Sequence, residues 1–464
     1  MKRDPRSWAL ALPLAVALLA PAAGRADALK LPFTKYKLKN GLTVILSEDH
    51  RLPLVSTNVW YHVGPVQEAK GRTGFAHLFE HMMFQGSKNV GKRHFALLEA
   101  AGASMVNGTT DFDRTNYFET VPANQLGLAL WLESDRMGFL LDAMSKEKLE
   151  NQRDVVQNER RQSIENAPYG LAEERMVQLL YPKGHPYHAN VIGSHEDLQA
   201  ARLDDVVDFF KRYYAPSNAS LVVCGDFEPK RTRALIEKYF GDLPPGPPIP
   251  PPNPWPLRIT KEQRQAMTDR VQLPRLYMAW LAPKIYQPGD AEADLLAKVL
   301  GRGRASRLYK RLVYEKKIAQ DVDAQQYSLI LGSFFSITVT AKPGQSLAVI
   351  EREVEAVLDE LRQRPVGPEE LTRAKRTFEA GFLRALEHLG GFGGKADRLN
   401  QYEHYLGDPD YLQRDLARYR NATAAGLQGV ARQYLGKDNR VVVLVTPRPA
   451  PPAKPAGKAA GGGK

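Results

Sequence analysis

The sequence is almost free of cysteine, since Cys224 is the only one among 464 residues. An intramolecular disulfide is therefore excluded, whatever the redox state of the compartment. Cys224 ends the apolar run 221–224 and is interpreted as a small hydrophobic residue of a strand. A chain of this length without cross-links is expected to fold as two or more domains, each with its own apolar core.

Long apolar runs are missing beyond the N-terminus, so no membrane-spanning helix is expected in the mature protein. Residues 1–28 instead have the three parts of a secretory signal: basic residues, the apolar run 8–23, and small residues that end at Ala28. We predict cleavage after Ala28, with Ala26 as the alternative site and an uncleaved anchor as the alternative interpretation. The mature protein is therefore expected to be periplasmic or secreted.

A strong excess of one charge is also missing from the body of the chain. Of the formal net charge of +12, +2 belongs to residues 1–28 and +4 to residues 447–464, which leaves +6 for the rest. No basic cluster interleaved with aromatic residues is present in that remainder. Nucleic-acid binding is therefore not expected, whereas a preference for acidic peptides stays open.

Proline is abundant in one place, DLPPGPPIPPPNPWP, where nine of fifteen residues are proline. Such a segment forms neither a helix nor a central strand and favours an extended spacer. We predict a linker at 242–258 between two halves, 29–241 and 259–446. The tail 447–464 has no large apolar residue and is expected to be disordered.

The two halves carry the same order of signals, which indicates an internal duplication. In the first, Asn40-Gly41 between the segments 36–39 and 42–46 predicts a β-hairpin, and helical patterns follow. We predict an α+β fold in which each half is an antiparallel sheet with helices packed on one face. The predicted elements include helices 74–84, 145–166 and 290–300, and the closing pairs of helix and strand 203–214 with 220–224 and 427–434 with 440–445.

One helical segment contains His77-Leu78-Phe79-Glu80-His81. Residues four apart lie one turn above each other on a helix, so both imidazoles can reach one ion, and Glu80 projects to the same side as His77. Two imidazoles suit zinc, whose catalytic sites have three protein ligands and an open position for water. Glu80 could then act as the general base. A chance match of five residues is the alternative.

A third ligand is indicated in the helical segment 145–166. There Leu149, Gln152, Val156, Glu159 and Ser163 follow at spacings of three and four and share one face. A carboxylate on a face that should be buried needs a partner, and a divalent cation is a strong one. The alternative is an ion pair of Glu159 with a neighbouring arginine, Arg153 or Arg160.

The inverted His-x-x-Glu-His motif, followed by Glu159 in the context NQRDVVQNERRQ, resembles the pitrilysin and mitochondrial processing peptidase family of inverzincins. The tandem halves, the proline linker and SRLYKRLVYEKKIA in the second half also match its two-half bacterial subunits. The resemblance implies a zinc endopeptidase with His77, His81 and Glu159 as metal ligands and Glu80 as general base. One zinc per chain is implied, because the equivalent helix of the second half, with DLLAKV at 294–299, has no histidine.

The resemblance also implies where a peptide binds. The stretch GASMVNGTTDFDRTNYFETV is similar to the family's edge strand beside the zinc, to which a substrate adds as a further strand. Asn107, Gly108 and Thr109 are thereby implied as substrate contacts, with an ordinary hairpin as the alternative. Seven residues before the third ligand the family often has a second glutamate that orients the site, where this chain has Gln152.

A second departure concerns a pair of arginine and tyrosine that grips substrate in the family. In the matching stretch of the second half, Val313 and Gln320 stand in those positions. A homologous subunit that supplies the pair in a heterodimer is therefore the partner that the resemblance implies, with a homodimer as the alternative. Gly390, Gly391, Gly393 and Gly394 are interpreted as a flexible turn between helices rather than a phosphate site.

Two other classes of function stay open at this point: a non-catalytic scaffold subunit with the same fold, and a metal carrier without hydrolysis. All four residues implied for the zinc site are present, which favours the enzyme.

Overall fold

The first half is built on a six-stranded sheet. In the computed structural model, which describes residues 29–449, its strands follow the order β1-β2-β6-β3-β5-β4. Neighbouring strands are antiparallel except β2 and β6, which are parallel. Because β4 is last in the order, it lies at one edge of the sheet. The strands are β1 (Thr34–Lys37), β2 (Thr43–Glu48), β3 (Leu54–Tyr61), β4 (Ser104–Asp111), β5 (Arg114–Pro122) and β6 (Ala219–Gly225).

The described part of this half has eight α-helices, and most of them cover one face of the sheet. Apolar side chains of β2, β3 and β5 meet those of α1, α3, α4 and α7 in one cluster of buried residues. Removing this apolar surface from water is the main stabilising term for the half. The helices are α1 (Phe75–Met82), α2 (His94–Ala100), α3 (Leu126–Phe139), α4 (Lys146–Arg160), α5 (Gly170–Leu180), α6 (His195–Ala200), α7 (Leu203–Tyr213) and α8 (Pro229–Phe240).

The second half repeats the plan with a five-stranded sheet in the order β7-β11-β8-β10-β9. Its parallel pair is β7 with β11, and α9, α10 and α14 share a buried apolar cluster with β8, β9 and β10. The elements are β7 (Gln263–Asp269), β8 (Arg275–Ala282), α9 (Asp290–Leu300), β9 (Ala319–Tyr327), β10 (Ser333–Ala341), α10 (Leu347–Gln363), α11 (Pro368–Ala385), α12 (Lys395–Leu406), α13 (Leu412–Asn421), α14 (Ala424–Tyr434) and β11 (Arg440–Pro447).

The two halves exchange one helix each. Helix α5 of the first half packs on β8 and β11 of the second, and helix α12 of the second half packs on β3 and β6 of the first. The opposite face of each sheet is therefore covered as well. The buried side chains at these contacts are Ala172 and Met176 against Tyr277 and Val443, and Ala396 and Leu399 against Ile45 and Val222.

The α+β fold with two similar sheets is the predicted one. The hairpin at Asn40-Gly41 forms, with Gly41 at φ 93°, a left-handed value that glycine adopts without strain. Helix 290–300 has the predicted bounds, and Cys224 lies buried in β6. Each sheet, however, has one parallel pair where an antiparallel sheet was expected, because β6 and β11 return after helices rather than tight turns.

Three further expectations differ in detail. Segment 145–166 is an α-helix only to Arg160 and continues as a π-helical turn over Arg161–Glu165. The proline-rich stretch 242–258 contains no helix or strand, and its place as a boundary between halves stays a prediction. The signal peptide, its cleavage site and most of the tail lie outside the described residues. None of the described helices combines the length and the apolarity that crossing a membrane requires.

Asp113, in the turn between β4 and β5, joins the halves through buried hydrogen bonds. Its carboxylate accepts from the Tyr187 hydroxyl and, at 3.0 Å, from the backbone N–H of Ile330 in the second half. Asp113→Ala should lower the free energy of unfolding by about 2 kcal/mol, because the buried Tyr187 hydroxyl and the partly buried N–H of Ile330 lose their acceptor. Denaturant unfolding measures this.

The matched control is Asp142→Ala, which removes an exposed carboxylate paired with Lys88 at 3.3 Å. A surface pair contributes less than about 1 kcal/mol. Equal destabilisation by both substitutions would contradict the role given to Asp113.

Candidate metal and peptide-binding site

Helix α1 presents the two histidines of the inverted motif. His77 and His81 are one turn apart, with ring centroids 4.8 Å from each other. The helix takes this orientation because Phe75, Leu78 and Phe79 on its other faces are buried in the core of the first half. Both imidazoles therefore project from the core toward α4 and remain partly exposed.

Helix α4 brings Glu159 to both rings. Its carboxylate oxygens lie 3.7 Å from His77 Nε2 and 3.2 Å from His81 Nε2. The arginines considered as alternative partners are engaged elsewhere: Arg153 donates to the carbonyl of Ala201, and Arg160 pairs with Glu174 at 2.9 Å. The carboxylate of Glu159 thus faces the histidines, as the helical stripe predicts.

The donor set fits a zinc ion. One ligand atom from each of His77, His81 and Glu159 can be chosen so that all lie within 4.8 Å of one another, the only such His, Cys, Asp and Glu group among residues 29–449. Burial, and next the neighbouring His81, lowers the pKa of His77 to about 4, so its imidazole is in the neutral form that binds metal. The pKa of Glu159 lies below its ordinary value, and the main cause is the hydrogen bond from His81 to its carboxylate. Three ligands leave a fourth position open, as in catalytic zinc sites.

Glu80 lies between the histidines and strand β4. Its Oε2 accepts a hydrogen bond from the Thr110 hydroxyl at 2.7 Å, and burial raises its pKa. Gly108 allows this approach, because a Cβ there would lie 3.1 Å from Glu80 Cγ. Thr110 was missed at the level of sequence, although it shares a face with Gly108 at the two-residue period of a strand.

Strand β4 has an edge that pairs with no other strand in the described part of the chain. Asn107, Gly108 and Thr109 lie inside this strand, paired with β5, and not in a turn. Asn107 is exposed and bonds the N–H of Gly108, whereas Thr109 is held by Asn116 and Arg114. The edge can therefore accept a further strand.

The two sequence departures occupy different environments. Gln152 is buried on α4, two turns before Glu159. Val313 is partly buried against the core of the second half, and Gln320 is exposed at the start of β9. Neither can replace an arginine or a tyrosine chemically.

A carboxylate caps the helix that carries the histidines. Glu68 accepts from the backbone N–H groups of Gly74 and Ala76 at 3.0 and 2.9 Å. Unpaired N–H groups and a positive dipole end make a helix N-terminus a favourable place for this group. Desolvation nevertheless dominates and raises the pKa of Glu68 to about 8. No sequence motif identifies this cap, because Glu68 lies seven residues before the first residue of α1.

Two family models match the chain: Insulinase (Peptidase family M16) over residues 43–185 and Peptidase M16 inactive domain over residues 200–378. The zinc protease PqqE of Helicobacter pylori is 29% identical over 419 residues, which are 88% of this chain and 92% of the relative. The zinc protease YmxG of Bacillus subtilis is 22% identical over 410 residues, 88% of this chain and 97% of the relative.

Solved structures have the same fold. A protease from Helicobacter pylori superimposes with a TM-score of 0.84 at 26% identity, covering 90% of this chain and 100% of that one. A putative M16-like peptidase from Alicyclobacillus acidocaldarius gives a TM-score of 0.79 at 21% identity, with 90% and 100% covered.

Two similar α+β halves, with a cluster of two histidines and a glutamate in the first, define the class of two-half metallopeptidases. The chain belongs to peptidase family M16, the pitrilysin family, and its relatives are named zinc proteases. The resemblance stated from the motif is thereby confirmed.

The zinc-free protein should show a pH dependence that arises at Glu68. Its pKa is about 8 in the folded state against an ordinary value of 4.5, so the folded state holds the proton more tightly. The resulting stabilisation is complete below about pH 4.5 and is lost as the pH rises to about 8. The free energy of unfolding of the wild type minus that of Glu68→Gln should therefore fall from pH 5 to pH 8.5.

Denaturant unfolding at the two pH values in the presence of a chelator measures this difference. Glu228→Gln is the matched control, because Glu228 also caps a helix, α8, but is exposed. A difference for Glu68→Gln that grows with pH would be the contrary result.

Metal binding should depend on Glu159. Wild-type protein is expected to hold about one zinc per chain. Loss of a residue that hydrogen-bonds a metal ligand lowers metal affinity roughly 10–100-fold, and loss of the ligand in Glu159→Ala should lower it further. Titration calorimetry and elemental analysis measure both quantities. Glu150→Ala, which removes an exposed carboxylate of the same helix, is the control. Unchanged affinity in Glu159→Ala would show that the metal is bound elsewhere.

Proposed function

We propose that this chain is a zinc-dependent endopeptidase that cleaves peptides or unfolded segments of proteins. His77, His81 and Glu159 hold one zinc ion, and Glu80 is the general base. The observation that carries the proposal is the position of Glu159, whose carboxylate reaches both imidazoles while Arg153 and Arg160 are engaged elsewhere. A carboxylate that faces two imidazoles and has no arginine partner would be stabilised by a bound cation.

When bound, zinc would supply Lewis-acid chemistry, polarising the scissile carbonyl and lowering the pKa of a water. Glu80 takes the proton from the attacking water and delivers it to the leaving amine. Its raised pKa makes it a stronger base than an ordinary glutamate. Thr110 fixes one carboxylate oxygen and leaves the other available for the water.

Strand β4 orients the substrate. A peptide that adds to its open edge is held by backbone hydrogen bonds, so an extended segment is required and a folded one is excluded. Gly108 and Thr110 of this strand both lie against Glu80, so a substrate bond level with Gly108 comes near the base. Asn107 and Thr109 flank this point and face the other side of the sheet.

A second subunit completes the proposed enzyme. Val313 and Gln320 cannot grip a substrate as an arginine and a tyrosine would, so we place that pair on a homologous partner in a heterodimer, with a homodimer as the alternative. One relative is a single chain about twice as long as this one, which supports the pairing of two chains of this size. The periplasmic protease PqqL from Escherichia coli has the fold at a TM-score of 0.71, and this chain covers only 48% of it.

The proposed location is the periplasm or the exterior of the cell. The N-terminal sequence has the composition of a secretory signal. The solved structure of PqqL is described as that of a periplasmic protease, which supports the same location here.

Glu80→Gln tests the chemistry. The amide cannot accept the proton, so peptide cleavage should fall by at least about 100-fold, at the low end of what general base catalysis contributes. Zinc content should stay at the wild-type level, because Glu80 is not a ligand. Cleavage of a fluorogenic peptide library and elemental analysis of the same samples measure the two effects.

Glu99→Gln, an exposed carboxylate of α2, is the control for this measurement. Undiminished cleavage in Glu80→Gln would exclude Glu80 as the base. A stable wild-type protein that holds no zinc and cleaves nothing would indicate a scaffold, and one that binds zinc without cleaving peptides, alone or with its partner, would indicate a carrier.

Co-expression tests the partner. The chain should co-purify with a homologue that carries the arginine and tyrosine pair, and the complex should cleave peptides at least about tenfold faster than the chain alone. If the chain alone cleaves at a rate that a co-expressed relative does not increase, the heterodimer is excluded, and sedimentation then tests for a homodimer.

A further inference from the structure

An exposed aromatic side chain of the second half stands beside the open edge of β4. Phe392, 67% exposed, lies in the turn Gly390–Gly394 between α11 and α12. Its ring packs edge-on against Phe118 of β5, with centroids 5.2 Å apart. Most of the Phe392 ring faces solvent, so packing in the core does not explain its position.

The turn that carries Phe392 is fixed on the first sheet. The N–H of Gly393 donates to Asp397 Oδ2 at 2.8 Å, and Asp397 in turn accepts from Trp60 Nε1 at 3.1 Å. Gly390 lies so close to β3 that a Cβ there would come within 2.1 Å of Ser56 Oγ. The predicted turn is therefore held in place, and the aromatic ring is presented from a defined position.

The edge strand is distorted beside this ring. The pairing of β4 with β5 shifts register between Ser104 and Asn107, and Met105 takes a left-handed φ of 55°. Non-glycine residues with such values cost free energy and are concentrated at functional sites, and bulges re-aim side chains there. Met105 is 51% exposed, and a Cβ on Gly391 would come within 2.9 Å of its sulfur.

The face on which these side chains lie follows from the strand register. Asn107 is directly opposite Phe118, so both project from the same face, which is the face that Phe392 covers. Gly108 projects from the other face, toward Glu80. A peptide added to β4 alternates in the same way. One substrate residue lies level with Gly108. The side chain of the next substrate residue along the peptide therefore projects toward Asn107, Met105 and Phe392.

We propose that Met105 and Phe392 form a specificity subsite for a large apolar side chain of the substrate, within two residues of the scissile bond. This inference rests on the proposed peptidase function and names the substrate class: extended segments with leucine, methionine or phenylalanine at that position. The sulfur of Met105 and the ring of Phe392 supply an adaptable apolar surface. The second half thus contributes to substrate selection, although it carries no zinc ligand.

Competition between peptides that differ at one position tests the subsite. Wild type, with its partner where cleavage requires one, should prefer leucine or phenylalanine over alanine at that position by about tenfold or more in kcat/KM, the lower end of what an apolar pocket discriminates. Phe392→Ala should reduce this ratio at least about fivefold. Leu52→Ala, which trims another exposed apolar side chain, should leave the ratio as in wild type.

Binding separates this inference from the chemistry. In a Glu80→Gln background, fluorescence anisotropy should show the same preference for the leucine peptide over the alanine peptide, and its loss on adding Phe392→Ala. Zinc-loaded protein that binds or cleaves peptides with a selectivity independent of Phe392 would overturn the subsite and leave the peptidase intact. Protein that binds no peptide would also overturn it, and a change of oligomeric state in Phe392→Ala would assign the ring to an interface between copies instead.

Discussion

The approach of α4 to α1, which sets the carboxylate of Glu159 against His77 and His81, is the interaction on which the site depends. Helix α1 alone offers two imidazoles, which is too few ligands for a catalytic zinc site. The proposed third ligand, Glu159, lies 78 residues beyond His81, so it reaches the histidines only when the core of the first half is packed. Metal binding at the proposed site would therefore be coupled to folding of this half.

The exchange of helices makes the two halves interdependent. Helix α5 follows α4, the helix that carries Glu159, in sequence yet covers the second sheet, and α12 covers the first sheet. Arg160 at the end of α4 pairs with Glu174 on α5, so the segment that carries Glu159 is tied to the helix that crosses over.

The sequence predicted the local and periodic features of this architecture well. The hairpin at Asn40-Gly41, helix 290–300 and the stripe that places Glu159 opposite the histidines all follow from spacing and turn chemistry. The exchanged helices could not be predicted, because α5 and α12 are amphipathic and their periodicity does not say which sheet they cover. The contact of Thr110 with Glu80 and the cap at Glu68 also depend on tertiary packing. Neither residue belongs to a motif that identifies its partner.

The most direct measurement of the central claim is the anomalous diffraction of crystals grown with zinc. We expect one ion per chain, about 2.0–2.2 Å from a ring nitrogen of His77, a ring nitrogen of His81 and a carboxylate oxygen of Glu159, with the remaining position open or occupied by water. An ion found elsewhere, or a Glu159 carboxylate turned away from an ion held by the histidines, would contradict the account.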